Sequence, residues 1–119
     1  MKIRDIKELL NADVLCCEEE LDKEVNSACG SDMMSDVLAY VKDQAVLLTG
    51  LLNSQVVRTA EMMDMVCIVF VRSKKPTEDM IELAKKLDIV ILTTDLRMYN
   101  ACGRLFSEGL GSSKVNGDV

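Results

Sequence analysis

Short apolar runs alternate along this chain with stretches whose apolar residues recur every three to four positions. Ala45–Thr49, Val66–Val71 and Ile89–Leu92 are the clearest runs, and each ends in small polar residues. Gly50-Leu51-Leu52-Asn53-Ser54 follows the first, Arg72-Ser73-Lys74-Lys75-Pro76-Thr77 the second, and Thr93-Thr94-Asp95 the third. A continuous apolar run reads as a strand buried on both faces. Strands alternating with helices predict a parallel sheet with helices on both faces.

The helical stretches carry their own signals. Ile3, Ile6, Leu9 and Leu10 mark a short amphipathic helix ending near Asn11. Met34, Val37, Leu38 and Val41 follow the i, i+3, i+4, i+7 rule, with Ser31, Asp32 or Ser35 as cap. The next helix is capped by Ser54 and faces inward with Val56, Val57, Ala60 and Met63. Pro76 fits the first turn of a helix striped by Met80, Leu83, Ala84 and Leu87. Asp95 or Thr94 caps a last helix through Met98, Cys102 and Leu105, which Gly109 and Gly111 end. Near the N-terminus, Val14–Cys17 and Val25–Cys29 read as strands. The gap between them is too short for a helical crossover, so an antiparallel pair is expected. Residues 1–110 form one domain, and the tail 111–119, which lacks apolar periodicity, is expected to be disordered.

Composition narrows the function. The net charge of −6 and the scarcity of aromatics argue against a nucleic-acid partner, which needs clustered cations and stacking rings. No apolar stretch is long enough to span a membrane. The charged opening Met1-Lys2-Ile3-Arg4-Asp5-Ile6-Lys7-Glu8 is unlike a signal peptide, so a cytoplasmic location is expected. Five cysteines without a C-x-x-C pair, and no histidine, predict reduced thiols with neither disulfide framework nor metal site. Cys67 and Cys102 sit in apolar patterns, whereas Cys16-Cys17 alternates across a strand and so exposes one thiol. Glu18-Glu19-Glu20 is an acidic turn whose carboxylates diverge, which suits solvent better than a cation. No nucleophile lies beside an identifiable base, so no catalytic residues and no cofactor are expected.

In a parallel sheet the loops after the strands share one edge, and ligands bind there. The candidate ligand residues are therefore Thr49, Gly50, Asn53, Arg72, Thr93 and Thr94. Helix-start amides, hydroxyls and a guanidinium suit an anion. The competing reading is structural: Gly50 turns the chain, Ser54 caps a helix, the Arg72-Ser73-Lys74-Lys75 run is solvated, and Thr93-Thr94-Asp95 caps the last helix. Neither a G-x-G-x-x-G fingerprint nor a P-loop is present. The last helix carries a second apolar stripe, Tyr99, Phe106 and Leu110 with Gly103 between them, and Met62 and Met65 add to the surplus. Such surplus suits either a helix wedged between neighbours or a homodimer surface.

The chain resembles the DRTGG domain family. The likeness rests on Lys2–Asn11, Asp13–Cys17, Leu21-Asp22-Lys23-Glu24-Val25, Met34-Ser35-Asp36-Val37-Leu38, Val46-Leu47-Leu48-Thr49-Gly50, and Thr93-Thr94-Asp95 before a helix. That family is similar in fold to the N-terminal domain of HPr kinase/phosphorylase, which implies an α/β fold, a three-layer α/β/α domain with a mostly parallel central sheet. Its members often accompany CBS domains or phosphotransacetylase-like regions, as regulatory or dimerising modules. Thr49-Gly50 keeps part of the family pattern, but Leu51-Leu52 stands where an Asp-Arg pair would be, and Arg72-Ser73 stands near a Thr-Gly-Gly run. Two leucines there suit a protein contact better than an anion. The resulting expectation is a non-enzymatic regulatory module and homodimer that senses a small anionic metabolite, such as a nucleotide or small phosphate, at the strand C-terminal edge. The alternative is an adaptor for a partner protein. A third reading, an enzyme subunit, would need catalytic groups from another chain.

Overall fold

The structure, a computed structural model, describes residues 1–40 and 44–111. Among these residues five strands form one sheet: β1 (Asp13–Cys16), β2 (Ser27–Gly30), β3 (Ala45–Thr49), β4 (Cys67–Phe70) and β5 (Val90–Thr93). Their order is β1-β5-β4-β3-β2. The neighbours from β2 to β5 run parallel, with Thr49 beside Phe70 and Phe70 beside Thr93 at their C-terminal ends. Only β1 runs antiparallel, against β5. Every residue of β3, β4 and β5 is buried, which explains the unbroken apolar runs.

Among the described residues five α-helices cover the sheet: α1 (Ile3–Leu9), α2 (Met34–Tyr40), α3 (Ser54–Met62), α4 (Glu78–Lys86) and α5 (Met98–Ser107). In one layer α2 packs on α3 and α3 on α4; in the other, α1 packs on α5, which lies over β2 and β3. This is a three-layer α/β/α sandwich. Its core is aliphatic, with Leu47, Leu48, Ile68, Ile91, Leu92 and Leu105 fully buried and Phe70 the large aromatic among them. Helix α3 buries Val56, Val57 and Ala60, and α4 buries Met80 and Ala84, while Met63, Leu83 and Leu87 of the expected stripes are only partly buried against the core. Asn11, Asp64 and Asp88 turn the chain after α1, α3 and α4 in left-handed conformations, which short polar side chains tolerate.

Several expectations need correction. The first two strands do not pair with each other: they form opposite edges of the sheet. β2 begins at Ser27 and joins β3, whose apolar face offers a longer partner than β1. Cys16 and Cys17 are both buried, because the strand ends at Cys16 and Cys17 turns with a φ of 60° instead of alternating outward. The α3 cap is Asn53, whose side chain accepts from the Gln55 N–H at 2.8 Å, rather than Ser54. Thr77, not Pro76, begins α4 as its cap. Arg97 occupies the cap position of α5, while Thr94 and Asp95 bond elsewhere. Met65 and Leu110 are buried, so the apolar surplus reduces to Tyr99, Phe106 and Met62, with relative exposures of 87%, 73% and 69%. Val41 and the tail segment 112–119 lie outside the described residues. Gly111 is described, and its carbonyl accepts from the Ala28 N–H of β2 at 2.8 Å.

Candidate functional site

The loops after β3, β4 and β5 meet at the C-terminal edge of the sheet, and hydrogen bonds tie them together. Arg72 and Ser73 both adopt left-handed backbone, with φ of 58° and 60°. This turns the Arg72 N–H to the Leu96 carbonyl at 2.7 Å and the Ser73 N–H to the Thr94 carbonyl at 2.9 Å. The Ser73 hydroxyl donates to Asp95 Oδ1 at 2.6 Å, and the Thr93 hydroxyl donates to the Lys74 carbonyl at 2.8 Å. The loop after β4 is therefore clamped onto the loop after β5.

The loop after β3 is held differently. Thr49 is fully buried, and its hydroxyl donates to Asp32 Oδ1 at 3.0 Å while accepting from the Leu51 N–H at 3.2 Å. The Gly50 N–H donates to the same carboxylate oxygen at 2.7 Å. Arg72 reaches across from the neighbouring loop, with Nη2 4.0 Å from Asp32 Oδ2. Its guanidinium occupies the space beside Gly50, where any Cβ would collide with it. Gly50 thus leaves room for the flexible end of Arg72, and no positive φ requires it.

The candidate residues divide accordingly. Thr49, Gly50 and Arg72 converge in one cluster, joined by Asp32. Asn53 caps α3 on the same edge. The hydroxyls of Thr93 and Thr94 are turned to the chain itself, Thr94 toward the Leu10 carbonyl at 2.7 Å, deep beside β1. Asp32 is the member that sequence reasoning passed over, having been considered only as a cap for α2. Its carboxylate is turned instead to Thr49 and Gly50 of the neighbouring loop. An acidic residue just past a strand end was the available signal.

Chemically the cluster offers a hydroxyl, a backbone amide and a guanidinium. Arg72 and Asp32 are about half exposed, at 49% and 54%. The thiols supply no activated nucleophile. Burial pushes Cys16, Cys29, Cys67 and Cys102 upward, and it pushes Cys17 up to about 12, with help from adjacent Cys16. Among the described residues no group of three or more Cys, Asp or Glu is arranged to hold a metal ion, and no helix is long and apolar enough to cross a membrane. A cavity of about 820 Å³ lies away from this cluster, between α5 and the β2 edge, lined by Leu9, Tyr99, Gly103, Phe106 and Leu110 among others.

Comparison with known proteins decides the family. The DRTGG domain matches residues 5–106, most of the chain. The chain belongs to the DRTGG domain family. This DRTGG domain has two consecutive left-handed residues, Arg72 and Ser73, in the loop after β4, where glycines would take that backbone freely. A solved structure with the same fold is that of the CBS and DRTGG domains of the regulatory region of Clostridium perfringens pyrophosphatase, complexed with its activator diadenosine tetraphosphate. The TM-score is 0.69 at 18% identity, over 99% of this DRTGG chain. The chain spans 52% of the length of that neighbour. No curated protein matches the chain.

Proposed function

We propose that this DRTGG domain is a non-enzymatic regulatory module that senses a nucleotide or small phosphate at the C-terminal edge of its sheet. The observation that carries this reading is the convergence of the Thr49 hydroxyl, the Gly50 N–H and the Arg72 guanidinium from two neighbouring loops. Donors of these kinds hold phosphate oxygens. The neighbouring pyrophosphatase regulatory region, complexed with a nucleotide activator, supports the ligand class. The module works as a homodimer through the exposed stripe of α5, where Tyr99 and Phe106 flank Gly103, and it resides in the cytoplasm. Sedimentation at micromolar concentration tests the dimer, and a monomer would reject it. Titration calorimetry with nucleotides and small phosphates tests the site. Arg72→Ala weakens a bound phosphate by about 1.5–3 kcal/mol, the scale of a hydrogen bond to a charged group.

A second reading is an adaptor that binds a partner protein and no small molecule. One observation favours it: Leu52, like Met33, is an exposed apolar side chain. If no phosphate compound binds at millimolar concentration while Leu51→Ala releases a co-purifying protein, the adaptor stands and the sensor falls.

A further inference from the structure

The donors at the strand edge are not turned to solvent. They are turned to a carboxylate of the same chain. Asp32 Oδ1 accepts from both the Thr49 hydroxyl and the Gly50 N–H, and Oδ2 faces the Arg72 guanidinium. A hydroxyl, a backbone amide and a guanidinium around two oxygens form the environment a phosphate or carboxylate ligand would seek. Asp32 already fills it. The guanidinium approach is loose, at 4.0 Å between half-exposed groups, so that pair is weakly held and open to exchange.

We propose that Asp32 is the internal occupant of the anion site and sets its specificity. An incoming phosphate takes Arg72 and the Gly50 N–H from Asp32, and the carboxylate yields its place. This rests on the sensor reading above. A local monoanion competes well with a singly charged ligand and poorly with a multiply charged one, because the attraction to Arg72 scales with ligand charge. Lys74 and Lys75 are exposed on the same loop and add to the preference for several charges. The site therefore favours the di- and triphosphate chains of nucleotides over orthophosphate or simple carboxylates.

The test uses the full chain, with adenosine triphosphate and orthophosphate as probes in calorimetry. Asp32→Asn keeps an oxygen for Thr49 and Gly50 but removes the charge. It should tighten orthophosphate by about tenfold, the scale of one charge-assisted hydrogen bond, and narrow the preference for triphosphate. If the wild type binds triphosphate and Asp32→Asn binds either probe equally or more weakly, Asp32 is a support and this inference falls while the sensor remains. If neither protein binds either probe, both fall. A measurement on the wild type stands apart from any folding defect in the variant. On adding triphosphate, the Gly50 amide resonance should move with saturation as its acceptor changes. A Gly50 amide that stays fixed while triphosphate binds overturns the exchange.

Discussion

The loops after β3 and β4 solve opposite problems with opposite residues. After β3 a glycine stands where the need is for room, since Gly50 makes space for a side chain from elsewhere. After β4 the need is for left-handed backbone, yet Arg72 and Ser73 stand there instead of glycines. A non-glycine residue in that conformation costs about 1–2 kcal/mol. The neighbouring loop's carbonyls hold both residues in place, and the result is a guanidinium at the strand edge. Backbone strain of this kind collects where a side chain is wanted for a purpose other than stability.

The comparison depends on a common floor beneath both loops. Phe70 is fully buried beside Thr49 and Thr93 at the strand ends. Phe70→Ala should destabilise by about 3–5 kcal/mol in urea unfolding and loosen both loops together. A loss below about 1 kcal/mol would mean that the loops support themselves. Next comes the β3 loop alone. Thr49→Val removes a buried hydroxyl that serves Asp32 and Leu51, with an expected loss of about 1–3 kcal/mol. Hydrogen exchange at Gly50 and Leu51 should quicken while Ser73 stays protected.

How much of this was legible follows from which interactions are local. Ala45–Thr49, Val66–Val71 and Ile89–Leu92 announced themselves because strands covered on both faces are apolar without interruption. The place of β2 was not legible. Its choice between β1 and β3 is made by contacts far apart in sequence, and four small residues carry no register signal. Thr49, Gly50 and Arg72 could be placed on one edge from topology alone. Asp32 could not, because its partners belong to another loop and its local role as a helix cap looked sufficient. Arg72 and Ser73 in left-handed backbone carry no glycine to betray them. The Cys16-Cys17 reading failed because strand alternation stops one residue earlier than the apolar run suggested.

Smaller effects sharpen the contrast. Arg72→Gly relieves left-handed strain and loses only a loose surface pair, so thermal unfolding should show a gain of about 1 kcal/mol. Ligand affinity should fall in the same variant, and unchanged stability would mean that the loop relaxes its backbone without help. Gly50→Ala meets only the far end of a flexible side chain, so stability should change by less than about 0.5 kcal/mol. The Arg72 Nε resonance should nonetheless shift, and a fixed resonance would show that the guanidinium had room to spare. At neutral pH the least effect comes from another left-handed residue, Cys17. Its thiol is pushed up to about 12 from 9.0, chiefly by burial. Above pH 9.0 the unfolded chain binds fewer protons than the folded one. The thiol's contribution to stability is therefore full below that pH and is lost as pH rises toward about 12. Urea midpoints compared at about pH 7.5 and about pH 10 under reductant should fall more for the wild type than for Cys17→Ala, and equal slopes would reject the assignment.

The Gly111 carbonyl carries a consequence for assembly. β2 is a four-residue edge strand without a charged side chain, and an open edge of that kind invites other chains to add strands to it. The bond from the Ala28 N–H to Gly111 spends one of the donors such an addition would need. The stretch after α5 thus acts as a guard rail. Any binding event that lifted Gly111 from β2 would return that donor to the strand's open edge.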